Sequence, residues 1–120
     1  MKQTYKDFDV CVLTKDQHEY MAKLQRLATL IQEQTRARIL KDYPGYPPAQ
    51  LEKDYTVKVI LGRKFTKIDV GTSGKYMVDE IGNIYGIKAY GVIHRGHYYG
   101  TLDTVDQYYW GDYTAVRIAT

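Results

Sequence analysis

At 120 residues, 44% hydrophobic and 26% charged, the chain has the size and composition of one globular domain with a single core. Its net charge of +3 is spread over both halves without a basic block, which argues against a duplex-DNA binder. One cysteine, Cys11, excludes an intrachain disulfide, and no apolar run approaches the roughly 20 residues of a membrane helix or forms a signal peptide, so a cytoplasmic protein off the membrane is expected.

Phe8, Val10 and Val12 alternate with Asp9, Cys11 and Leu13, the pattern of a short strand. Thr14 stands three residues before Gln17, so hydroxyl and amide can cap each other's backbone N–H groups and start a helix. Tyr20, Met21, Leu24, Leu27, Ala28, Ile31, Thr35 and Ile39 follow at three- and four-residue spacing and form one apolar stripe. Pro44, Gly45, Pro47 and Pro48 stop the helix near Lys41 or Asp42. A helix of that span is roughly 40 Å long. A compact domain of this size is only about 35 Å across. The excess length, with Leu30 and Leu40 off the main stripe, points to a homo-oligomer of two or more chains.

Residues 43–55 read as a loop or linker. From Thr56 the hydrophobic period changes to two. Strands are predicted at 57–61, 65–70, 75–79, 84–92 with extension toward His94, 98–102 and 113–118, with turns at Gly62-Arg63-Lys64, Gly71–Gly74, Gly82-Asn83 and Gly96-His97. The fold class is α+β: an N-terminal strand and long helix over residues 1–42, then a curled antiparallel β-sheet over residues 56–120, all in a single domain.

Eight of the thirteen tyrosines lie between Tyr76 and Tyr113, among glycines and the cations Lys75, Lys88, His94, Arg95 and His97. Rings, cations and glycines together suit a flat, anionic, hydrogen-bonding ligand such as a nucleotide. Gly71-Thr-Ser-Gly-Lys75 is too short for a Walker loop and precedes a strand, so nucleotide hydrolysis is not expected. It reads as a hairpin turn whose amides are also placed to touch a phosphate. His94 and His97 alone are a poor metal set. Ser73 and Cys11 have no histidine or carboxylate at a spacing that marks a nucleophile. The helix arginines Arg26, Arg36 and Arg38 read as a solvated face, or as a phosphate receptor where several chains converge.

The runs Gly62-Arg-Lys-Phe-Thr-Lys-Ile-Asp-Val-Gly71, Ser73-Gly-Lys-Tyr-Met-Val78, Ile84-Tyr-Gly-Ile-Lys-Ala-Tyr-Gly-Val92 and Tyr99-Gly-Thr-Leu-Asp-Thr104 resemble a family of small phage proteins, the Thoeris anti-defence sponges. The resemblance covers residues 56–118. It implies a non-enzymatic oligomer, dimer to hexamer, in the cytoplasm of a bacterial host. Such a protein sequesters a cyclic ADP-ribose isomer in pockets between chains, and some members also take cyclic oligonucleotides at a second site.

Residue chemistry then gives a ligand set of Lys75, Tyr76, Lys88, Tyr90, His94, Arg95, Asp103 and Arg117, with Arg26 and Arg63 for a second site. Tyr90 or Tyr76 is expected to stack on a base, and Lys88, Tyr90, Val92 and His94 to share one strand face. No catalytic residue, metal or cofactor is assigned. The alternative reading is a phage module that binds single-stranded nucleic acid or a host protein.

Overall fold

A computed structural model describes residues 2–5, 15–112 and 114–118. The element order is β1 (Lys2–Tyr5), α1 (Lys15–Asp42), α2 (Pro48–Tyr55), β2 (Val57–Leu61), β3 (Phe65–Val70), β4 (Ser73–Asp79), β5 (Asn83–Ala89) and β6 (Val92–Thr101). A single 3-10 turn at Val105–Gln107 then leads to β7 (Tyr108–Tyr109) and β8 (Val116–Arg117). Strands β1 to β6 form one sheet in sequence order, with β1 parallel to β2 and every later neighbour antiparallel. The α+β class with a long helix and a curled sheet is therefore observed. The expected strand around Phe8–Leu13, with Cys11 and the Thr14 cap, lies outside the described residues. The described N-terminal strand is Lys2–Tyr5.

Helix α1 forms where the three-and-four spacing demanded it. Leu24, Leu27, Ala28, Ile31, Thr35 and Ile39 are all buried, and the first four join the sheet residues Val57, Val59, Ile68, Val78 and Ile84 in one hydrophobic cluster. Asp16 in its first turn and Lys41 in its last complement the helix dipole. Two glutamines of the same helix satisfy strand and loop amides: Gln32 Oε1 accepts from the Val57 N–H at 3.1 Å, and Gln34 Oε1 from that of Trp110 at 2.6 Å. Trp110, 1% exposed, donates its indole N–H to the Val105 carbonyl at 2.9 Å.

The molecule measures 45 × 33 × 25 Å, so it is elongated enough to contain the 28-residue helix. Leu30 packs against the core. The length argument for an oligomer assumed a rounder domain and loses its premise.

Four expectations are corrected. Residues 43–55 are not a loop throughout: Pro48 supplies the fixed φ of a first helical turn, and α2 buries Leu51. Residues 84–94 are not one strand, because the chain reverses at Tyr90-Gly91, with Ala89 opposite Val92. Gly91 has φ 79°, the left-handed value that the third residue of a type II turn requires. The turn expected at Gly96-His97 is instead part of β6. Tyr98 pairs with Tyr85 while His94 pairs with Gly86, so Arg95, Gly96 and His97 form a bulge. The last expected strand shrinks to Val116–Arg117, paired with Tyr108–Tyr109; Tyr113 lies outside the described residues.

Candidate functional site

A cleft lies where the C-terminal half of α1, the Tyr43–Tyr46 connection, the start of β4 and the Trp110–Asp112 segment meet. Its volume is about 370 Å³, inside the roughly 300–1,000 Å³ range of small-molecule sites. Thr35, Arg38 and Ile39 face it from the helix because they lie three and four residues apart on one side. Ser73, Gly74 and Lys75 face it from β4, where the β3–β4 register shifts at a bulge between Ile68 and Asp69 and their partners Tyr76 and Gly74. The shift re-aims Lys75 out of strict alternation.

Two cations share this cleft. Burial, and then the nearby Arg38 charge, hold the Lys75 ammonium below its ordinary range, with Asp112 acting in the opposite direction. Arg38 is oriented by donating Nε–H to the Gly111 carbonyl and by Asp42 Oδ2, 3.5 Å from its NH1. Tyr43, exposed, and Tyr46 stand at the mouth with ring centroids 6.1 Å apart and planes tilted by 44°. Tyr46 donates its hydroxyl to Asp54, which also accepts from Gln50 at 3.0 Å, so that carboxylate is engaged. A half-buried cation pair with aromatic walls attracts a small anion that carries a flat group. Among the described residues, no imidazole or thiol lines the cleft, and Ser73 is the one lining serine.

The sequence-derived ligand set divides among several places. Lys75 is in the cleft. Tyr76 forms part of its wall, but the residue is 2% exposed and its ring meets Tyr99 and Trp110 edge-to-face, each at 5.4 Å. Buried among these rings, Tyr76 offers a base no open face. Burial pushes its hydroxyl well above the ordinary tyrosine range.

Lys88, Tyr90, His94 and Arg95 gather around the β5–β6 hairpin. They do not share one strand face, because the turn at Tyr90-Gly91 separates Lys88 from His94. Tyr90 is exposed, donates to Asp69 Oδ2 at 3.1 Å and has the Lys67 ammonium 4.9 Å from its ring centre. His94 lies against His97, ring centres 3.9 Å apart. Loss of solvent, then His97 and Lys88, lower its pKa. Arg95 lies over Tyr85 at 5.5 Å and over Phe65 at 6.0 Å.

Asp103 pairs with Lys23 at 2.8 Å, on the flank of α1. Arg117 sits in β8 opposite Tyr108. Arg26 and Arg63 are not brought together. Arg26 binds Asp106 at 2.6 Å, whereas Arg63 lines a small cleft with Asp16, Gln17 and Tyr20, about 15 Å back along the helix from Arg26. Among the described residues, no group of three or more His, Cys, Asp or Glu side chains is placed to hold a metal ion, and no helix is long and apolar enough to cross a membrane.

Sequence reasoning missed Tyr43 and Tyr46, placed in a presumed linker, and Asp112. It named Arg38 only as one of three helix arginines. Two tyrosines set among prolines and a glycine at the end of a long helix were the available signal. The chain matches no protein-family model, and comparison with curated proteins and with solved structures finds no similar chain.

Proposed function

We propose that this chain binds a small cyclic nucleotide in the cleft beside Arg38 and Lys75 and holds it without cleaving it. The observation that carries the reading is the pairing of two mutually repelling, part-buried cations with two mouth tyrosines in a cleft of ligand size. A phosphate between the cations relieves their repulsion and replaces lost hydration. A base lies against Tyr43 or Tyr46. The family resemblance over residues 56–118 favours the same class, a cyclic ADP-ribose isomer or related cyclic nucleotide, captured in the bacterial cytoplasm and denied to an immune effector.

Magnitudes place limits on this. Two aromatic contacts contribute about 1–3 kcal/mol each. Two charge-assisted hydrogen bonds contribute about 1.5–3 kcal/mol each. The gross sum, roughly 5–12 kcal/mol before ordering costs, matches micromolar affinity at about −8 kcal/mol. A nanomolar sponge needs about −12 kcal/mol, hence further contacts. A homo-oligomer in which a second chain closes the cleft supplies them, and is part of the proposal.

Storage rather than turnover is favoured because no imidazole lines the cleft among the described residues to activate Ser73, and of its carboxylates Asp54 already accepts from Tyr46 and Gln50. Native mass spectrometry with a panel of cyclic nucleotides tests the reading. Binding of one member, and its recovery intact after heat denaturation, is expected. Recovery of a cleaved product contradicts storage.

A further inference from the structure

The sheet has a second face, turned away from α1, and its composition is unlike that of a solvated surface. Strand register aligns Lys67, Met77, Tyr85 and Tyr98 in one row across β3 to β6. At about 4.8 Å between strands, this row spans roughly 14 Å. The alternate positions Thr66, Ile68, Val78 and Ile84 belong to the helix side, so the row projects to the opposite side, with Met77 buried within it and the rings and cations around it. Phe65 is two residues before Lys67 on the same side, and Tyr90 reaches back from its turn to the Lys67 end of the row.

We propose that this face is a binding platform for single-stranded nucleic acid. The rings supply the stacking surfaces. Tyr85 and Tyr98 lie 5.5 Å apart with planes tilted by 53°, and Tyr98 is 49% exposed. The cations are held on the face by those same rings: Arg95, projected from the β6 bulge, over Tyr85 and Phe65, and Lys67 beside Tyr90. A guanidinium over a ring adds a second flat surface and a phosphate donor.

The neighbouring carboxylates are partly neutralised by local bonds. Asp79 accepts from the backbone N–H groups of Ile81 and Asn83 and from the Asn83 side chain, and Asp69 accepts from Tyr90. Glu80 stands at the rim beside Lys64. The centre of the face is therefore aromatic and cationic.

Charge complementarity selects a polyanion, and the rings select among polyanions. A duplex keeps its bases stacked internally and offers this surface only its backbone. An acidic peptide offers charge without flat rings. A single strand offers both phosphates and free base faces, and a row of this length takes two or three bases, as four-stranded aromatic sheets do.

Fluorescence anisotropy of the full chain with a labelled oligothymidylate tests the proposal, beside the same label on a duplex and on a polyglutamate peptide. The single strand is expected to bind best. Its affinity should fall with salt at a log–log slope of about −1.4, for two neutralised phosphates. Tyr98→Leu keeps the bulk of an exposed position and should weaken binding about 5- to 150-fold. Arg95→Ala should weaken binding and flatten the salt slope. Lys75→Met, in the cleft, should leave oligothymidylate binding unchanged, which separates this surface from the cyclic-nucleotide site. No binding at low salt, equal binding of duplex, preferential binding of the peptide, or an unaltered affinity in a folded Tyr98→Leu variant each overturns the proposal.

Discussion

The two faces of the sheet are made by the same strands, yet they do opposite work. Val57, Val59, Ile68, Val78 and Ile84 point toward α1 and are at most 2% exposed. Their neighbours one residue along, including Lys67 and Tyr85, point the other way and pair rings with cations. Away from the bulges at Lys75 and at residues 95–97, parity assigns each residue, because strand side chains alternate. One face stabilises the fold by excluding water. The other leaves polarised rings and charges at the surface, where they are available for recognition. The contrast also explains why Tyr76 and Tyr90 differ: one is buried in edge-to-face contact with Tyr99 and Trp110, and the other caps a turn in solvent.

The sharpest way to break this contrast is to truncate one residue on each face. Ile68→Ala, at a position with no exposure, should cost about 2–5 kcal/mol by urea denaturation. Tyr98→Leu should stay within about 1 kcal/mol of the parent, since it leaves no buried cavity. Similar losses from both would mean that the outer face is also a packed core.

The turn between the two hairpin strands is next in size. Gly91→Ala places a side chain at φ 79° and should cost about 1–2 kcal/mol, although Lys67 leaves room for the methyl group. An unchanged midpoint would contradict the turn and with it the position of Tyr90.

A smaller effect reads the burial of Tyr76. Its folded pKa is raised above the ordinary value of 10.0, so the folded state holds the proton longer than the unfolded chain. Its contribution is fully present below pH 10 and is lost as pH rises beyond that. Tyr76→Phe should cost about 1 kcal/mol near neutrality and should make stability fall less steeply above pH 10. An identical alkaline limb in both proteins would show that the hydroxyl is not buried in the fold.

Much of this architecture was legible in the sequence because it is local. The stripe from Leu24 to Ile39 and the shared face of Val57, Val59 and Leu61 each require only neighbouring residues, and these positions are buried together. The β5–β6 hairpin was misread because Gly91 and Gly96 give the same local signal. Only the pairing of Ala89 with Val92 makes one a turn and the other part of a bulge. The cleft was read least well. It joins Arg38, Tyr43, Lys75 and Asp112, which no spacing rule connects. Lys75 was picked out by its glycine-rich run, whereas Arg38 looked like any arginine on a solvated helix.

The smallest change in stability bears on the cleft itself. Burial and Arg38 lower the Lys75 pKa, so the unfolded chain binds this proton more tightly than the fold does. The resulting penalty applies at neutral pH and fades as pH rises toward 10.5, the ordinary lysine value. Lys75→Met should therefore leave stability unchanged or slightly raised at pH 7 in thermal melts. A clear loss would mean that Asp112 and other contacts make Lys75 a structural residue.

The central claim, that the Arg38–Lys75 cleft holds a cyclic nucleotide intact, is tested most directly by titration calorimetry with the cyclic nucleotide retained in native mass spectrometry. The parent protein should bind it with micromolar or tighter affinity, and Lys75→Met should bind about 10- to 150-fold more weakly, the loss of one charge-assisted hydrogen bond, while melting normally. Retention of no cyclic nucleotide by the parent, or equal affinity in a folded Lys75→Met variant, would contradict the account.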